Sequence, residues 1–167
     1  MPDATAPIPA GQYTVFIREV GTAPAKKSGN PMATLDLEIL APETVLEAGT
    51  YVKTAGRKFK TWLVFGDTNR RSYVDAQTIA QLDLPNGELP SPLNPNDVPQ
   101  MLKALVVGKV MTAVRLESEA RYKQDSLGNN IIDPATGQPQ LLGYNIVAKS
   151  FSPAVTLDSV GLSAPAA

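Results

Sequence analysis

Apolar and polar residues alternate with a period of two through most of this chain. From Gln12 to Val20, Tyr13, Val15 and Ile17 alternate with Thr14, Phe16 and Arg18, which is a strand pattern. A loop dense in Gly, Pro, Ser and Asn follows, GTAPAKKSGNP. MATLDLEIL then gives a second strand, with Leu35, Leu37 and Ile39 on one face and Thr34, Asp36 and Glu38 on the other. The turn-rich connector APETVLEAGT leads to a third strand over about Gly56 to Phe65. There Phe59, Thr61, Leu63 and Phe65 share one face, and Lys58, Lys60, Trp62 and Val64 the other.

The period then changes. Asp67 or Thr68 is placed to cap a helix, and NRRSYVDAQTIAQLDL has helical spacing. The proline-rich run LPNGELPSPLNPNDVP reads as irregular loop. A second short helix is expected around Gln100 to Val106, with Met101, Leu102 and Leu105 on its apolar side and Gly108 just past its end. Alternation returns from Lys109 to Lys123, where Val110, Thr112, Val114 and Leu116 oppose Met111, Ala113, Arg115 and Glu117. QDSLGNNIIDPATGQPQ is expected to be a long hairpin tip, and LGYNIVAKSF, Leu142 to Phe151, a fifth strand.

Three strands, a helical insertion and two more strands predict an all-β class: a five-stranded barrel with its helix between strands three and four. That is the layout of the oligonucleotide/oligosaccharide-binding (OB) fold. Closure of the sheet would account for the lack of edge-protecting charge or proline along the strands. The expected organisation is a flexible Pro/Ala-rich arm over 1–11, one domain over 12–151, and a flexible tail over 152–167 with one short docking segment.

Composition narrows the chemistry. Hydrophobic residues make up 43% of the 167, enough for a core, and there is no cysteine, which rules out disulfides and thiolate metal sites. There is no histidine either, which removes the commonest general base and zinc ligand. No catalytic constellation, cofactor motif or metal site is expected. DSLGNNIIDPATG lacks the spacing of a calcium loop, and there is no phosphate-binding P-loop. The opening residues do not form a secretory signal, and no stretch approaches the ~20 apolar residues of a membrane span. The expectation is a soluble protein. The formal net charge of -1 requires any polyanion-binding surface to come from local clustering of cations.

Three clusters meet that requirement. Arg57, Lys58, Lys60 and Trp62 bring cations and a large ring together on the third strand, the combination that single-stranded nucleic acid needs for phosphates and stacked bases. The plainer alternative is a solvated strand face with Trp62 capping the barrel. Lys26 and Lys27, beside Ser28, Gly29 and Asn30, occupy the loop between strands one and two, one of the binding loops of an OB fold; the alternative is an ordinary solvated turn. Arg121, Tyr122 and Lys123 open the long hairpin, where a ring and two cations are placed to close over a bound strand. Glu117 and Glu119 read as a salt-bridged exterior beside Arg115 and Arg121. Arg70 and Arg71 read as the start of a helix, and Tyr13, Tyr51, Tyr144 and Lys149 are further aromatic or basic residues that sequence alone does not place on either face.

The run GQYTVFIREVGTAPAKKSGNPMATLDLEIL, followed by GRKFKTWLVF, resembles a family of small phage proteins associated with replication and recombination genes. The likeness rests on Gly11, Tyr13, Lys27, Ser28, Gly29, Asn30 and Met32 and covers about the first 65 residues. That family is similar to phage single-stranded-DNA-binding proteins with OB folds. The resemblance implies a non-enzymatic protein that protects exposed DNA during replication or recombination. Its partners would be single-stranded DNA and replication or recombination proteins, and its location the host cytoplasm. Self-association stays open. The alternative reading is a structural or protein-interaction β-barrel, such as a phage particle component.

Overall fold

A computed structural model describes residues 6–65, 70–80 and 95–165. The expected helix cap at Asp67 or Thr68, and most of the proline-rich run, lie outside them. Among the described residues eight strands form: β1 (Gly11–Gly21), β2 (Met32–Ala41), β3 (Thr44–Glu47), β4 (Thr50–Lys53), β5 (Lys58–Val64), β6 (Val110–Tyr122), β7 (Leu141–Ser150) and β8 (Ala154–Val155). Two helices, α1 (Arg70–Ala80) and α2 (Val98–Val106), fall between β5 and β6, where the change of period puts them.

The main sheet is antiparallel and runs β5-β2-β1-β6-β7, with β8 on the first two residues of β6. Alternation decides which side of it is dry. Tyr13, Val15 and Ile17 of β1 and Leu35, Leu37 and Ile39 of β2 are all buried, and Leu63 and Phe65 continue the same layer. Helix α1 buries Ser72, Ala76 and Ile79 on one side, and Phe65 meets Tyr73 with ring centroids 5.2 Å apart.

The structure revises several expectations. The sheet is not a closed barrel: its ladder ends at β5 and β7, and no strand pairing joins those two among the described residues. In α2 the buried residues are Val98, Pro99, Leu102 and Val106, spaced along one side of the helix, while Leu105 is exposed. In β6 a bulge shifts the register, because Tyr13 pairs with Val114 but Val15 with Met111. The extra residue turns Met111 inward in place of Thr112. The connector after β2 is itself a hairpin, β3 against β4. Its two-residue turn has Ala48 at φ 51° and Gly49 at φ 81°, the positive values of a primed turn whose twist suits paired strands.

The first arm is not free over its described part. Ile8 is buried in the core, and its N–H donates to Ser118 Oγ at 2.7 Å while that hydroxyl donates back to the Ile8 carbonyl at 3.1 Å. The Tyr13 hydroxyl donates to the Pro9 carbonyl at 2.6 Å. The tail does carry a docking segment: Ala154 is buried in β8, and Ser152 Oγ accepts from the Ala113 N–H at 3.0 Å.

Candidate nucleic-acid interface

The candidate site grows from the face of β5 turned away from the core. Alternation leaves Lys58, Lys60 and Trp62 exposed while Phe59 and Leu63 face inward. Trp62 is 57% exposed, so it is not a core ring capping the sheet. An indole left in water at a strand centre forgoes roughly 2 kcal/mol of burial, which makes its position informative.

The register across β2 sets what the lysines see. Glu38 lies opposite Lys58, Asp36 opposite Lys60 and Thr34 opposite Trp62. Glu38 is buried and accepts from Arg18 Nη1 at 2.9 Å, whereas Lys58 Nζ is 3.9 Å from the same oxygen. Arg18 is thus the principal counter-ion of Glu38, and Lys58 is held loosely. Lys60 Nζ lies 3.5 Å from Asp36 Oδ1. Both lysine side chains are 60% exposed and stand 3.5–3.9 Å from their carboxylates, so a phosphate can reach either ammonium from the solvent side.

Between the two ends of the ladder lies a groove of about 600 Å³. Its β5 wall is Lys58, Phe59, Lys60, Thr61 and Trp62; the far wall is β6 and β7, including Glu119, Arg121, Tyr144 and Ile146. A second groove of about 620 Å³ follows at the base of the long hairpin, lined by Arg121, Tyr122, Asn130 and Leu142 among others. Ala120 and Arg121 line both. A smaller cleft beside Trp62 holds Arg71, Asp75 and Lys149. There Arg71 Nη2 donates to the Lys149 carbonyl at 2.6 Å, tying α1 to β7. Burial pushes the Asp75 carboxyl above its ordinary range, and Arg71 pulls the other way.

The sequence clusters separate in space. Lys58, Lys60, Trp62 and Arg121 meet in one groove, and Tyr122 stands at its continuation. Arg57, grouped with Lys58 by sequence, is buried: it precedes β5, and its Nη2 donates to the Ala6 carbonyl at 2.7 Å. It holds the first arm and is not presented to a ligand. Lys26 and Lys27 are exposed at a turn closed by the Gly29 N–H donating to the Ala25 carbonyl at 2.8 Å. That loop lies at the Trp62 end of β5, since the Phe65 N–H donates to the Pro31 carbonyl at 2.8 Å. Lys123 is exposed at the start of the hairpin tip. In the tip, Asp125 Oδ1 accepts from the Leu127 and Asn129 N–H groups, and Asp133 Oδ1 from Ala135. These carboxylates organise turns, as their Asp/Gly/Asn spacing suggests. Glu117 pairs with Lys149 across β6 and β7 at 3.9 Å. Sequence reasoning left Tyr144 unplaced, although its alternation with Ile146 and Ala148 puts it on the inner face of β7.

Fold and site define an antiparallel β-sheet protein with two helices and an open groove walled by cations and aromatic rings. The chain belongs to the family described as "Protein of unknown function (DUF669)", which matches residues 2–147. No curated protein matches it. Among the described residues no three Asp or Glu cluster as a metal site, and no helix is long and apolar enough to cross a membrane.

Proposed function

We propose that this protein is a non-catalytic single-stranded-DNA-binding protein that protects exposed DNA during phage replication or recombination, in the host cytoplasm. One observation carries the reading: Trp62, more than half exposed, shares a groove with Lys58, Lys60 and Arg121. Base stacking on an aromatic ring is worth ~1–3 kcal/mol, and flanking cations take the phosphates. The strand path, the helices between β5 and β6, and the groove between β5 and β7 support treating the sheet as an OB fold, with Lys26 and Lys27 in one flanking loop and Tyr122 and Lys123 in the other. Duplex DNA offers phosphates but no free base face, so it should bind weakly.

Titration with a thymidine oligonucleotide, followed by Trp62 fluorescence, tests this. Quenching by the single strand that fades with salt is expected; in Trp62→Ala, which leaves the chain without tryptophan, the anisotropy of a labelled oligonucleotide should report a loss of ~1–3 kcal/mol. A flat salt response, or equal binding of duplex, refutes the mechanism.

A second reading, a protein-interaction or particle component, is favoured by one feature. Leu46 and Tyr51 face each other across β3 and β4, exposed by 57% and 71%, an apolar pair with no role in the groove. Stable assembly without DNA that is lost in Leu46→Ser would favour it.

A further inference from the structure

We infer that Tyr144 is a third stacking residue, and that the bound strand lies in the groove along the β5–β7 seam as one extended path from Trp62, past Tyr144, to Tyr122. This rests on the proposed single-strand binding and specifies its route. Three observations carry it.

First, the two grooves are continuous. Trp62 and Tyr144 line the first, Tyr122 and Leu142 the second, and Ala120 and Arg121 belong to both. Together they make one groove that runs past residues of β5, β6 and β7. Second, the aromatic residues are spaced along that groove on three different strands, β5, β7 and β6. Tyr144 lies directly across from Ala120, a small side chain that leaves the tyrosine ring uncovered from that side. It is only partly buried. A ring placed at the mouth of an open seam, beside a methyl group, presents a face to whatever enters.

Third, the charges allow that route. Of the charged residues lining the groove, Lys58 and Lys60 stand on the β5 wall, while Glu119 and Arg121, two residues apart on β6 and of opposite sign, offset one another on the far wall. The β5 wall is thus the cationic one, so the backbone follows β5 and the bases turn toward the β7 wall, where Tyr144 lies. Lys26 and Lys27 extend the cationic side beyond Trp62.

The experiment compares oligothymidylates of increasing length on the full chain, wild type against Tyr144→Ala, Tyr144→Phe and Trp62→Ala. Affinity should fall about 5- to 150-fold in Tyr144→Ala for the longer oligomers and stay near wild type in Tyr144→Phe, which keeps the ring. Hydroxyl-radical footprinting of the unmodified protein supplies a readout that needs no substitution. Tyr144 should become protected when the oligomer binds, and Tyr51, on the β3–β4 hairpin, should not. Wild-type affinity in Tyr144→Ala, or an unprotected Tyr144, alongside a loss in Trp62→Ala, overturns this path and leaves single-strand binding standing. Failure of the wild type to bind any oligomer overturns both.

Discussion

Ile8 offers the sharpest test of how the fold is held together, because a stretch that reads as loose chain turns out to be core. Its side chain is 4% exposed and packs with the buried residues of β1, β2 and β6. Ile8→Ala removes apolar volume without touching the backbone bonds to Ser118, which are made by the Ile8 N–H and carbonyl. Buried Ile→Ala changes cost ~2–5 kcal/mol. Lying before the first strand, the segment can relax into part of the space, which favours the lower half, ~2–3 kcal/mol. Against a total of ~5–15 kcal/mol that is a large share, and it corresponds to a melting temperature lower by ~4–12 °C. Urea unfolding followed by far-ultraviolet circular dichroism reads it as a lower midpoint at unchanged slope. A shift within ~0.5 kcal/mol, typical of a surface site, would refute the docked arm. Tyr13→Phe separates the polar contribution, deleting the O–H donated to the Pro9 carbonyl at a cost of ~1 kcal/mol. It also has a pH signature. Burial, and secondarily the charge of Glu47, raise the Tyr13 phenol above its ordinary pKa, so folding favours the neutral form. That contribution is complete below about pH 10 and is lost as pH rises through the folded-state value. The alkaline decline in stability should therefore be shallower in Tyr13→Phe than in wild type.

Two further outcomes follow from charges around the groove. Burial raises the Asp75 pKa despite Arg71, so the stability tied to its neutral form is complete below about pH 4 and lost as pH rises through the folded-state value. Asp75→Asn should thus match or exceed wild type at pH 7, and the two should converge in acid; urea midpoints between pH 3 and 7 would expose the opposite sign. Asp36→Asn removes the charge facing the exposed Lys60 ammonium and relieves a buried carboxylate oxygen that has no hydrogen-bond partner among the described residues, so stability should fall by no more than ~0.5 kcal/mol. Oligonucleotide affinity should rise roughly fivefold at low salt, the effect of a unit charge ~4 Å away in a water-like medium, and the gain should vanish at high salt. An unchanged affinity would place the phosphates elsewhere.

The strands were legible because one side of the sheet is dry, so period two survives in β1, β2 and β5. Legibility failed where a local rule and a distant contact compete. Met111 and Thr112 exchange roles through a bulge that only the pairing of β6 with β1 defines. Ile8 stands alone among prolines and alanine, with no period to mark it; its burial depends on Ser118, 110 residues away. The β3–β4 hairpin turns through Ala48 and Gly49, a weaker signal than Asn-Gly because Ala rarely takes a positive φ. In the site, alternation separates Lys58, Lys60 and Trp62 from Phe59 and Leu63. It cannot say that Arg57, one residue before the strand, reaches back to Ala6, nor that Asp36 and Glu38 lie across from the lysines.

The open seam also changes which residues carry weight. A closed barrel needs no edge protection, and lysines on its strands would then call for another purpose. Here the ladder ends at β5 and β7, and both ends carry lysine: Lys58 and Lys60 on one, Lys149 on the other. Lysine on an exposed edge discourages pairing with another chain, so these cations have a reason to be present that involves no ligand. Edge protection does not account for Trp62. A large, flat, apolar ring on an edge strand raises the risk of association that lysines reduce, and stability gains little from a residue 57% exposed. The exposed ring of Trp62 is therefore the stronger sign of a ligand in the groove, with the lysines as support.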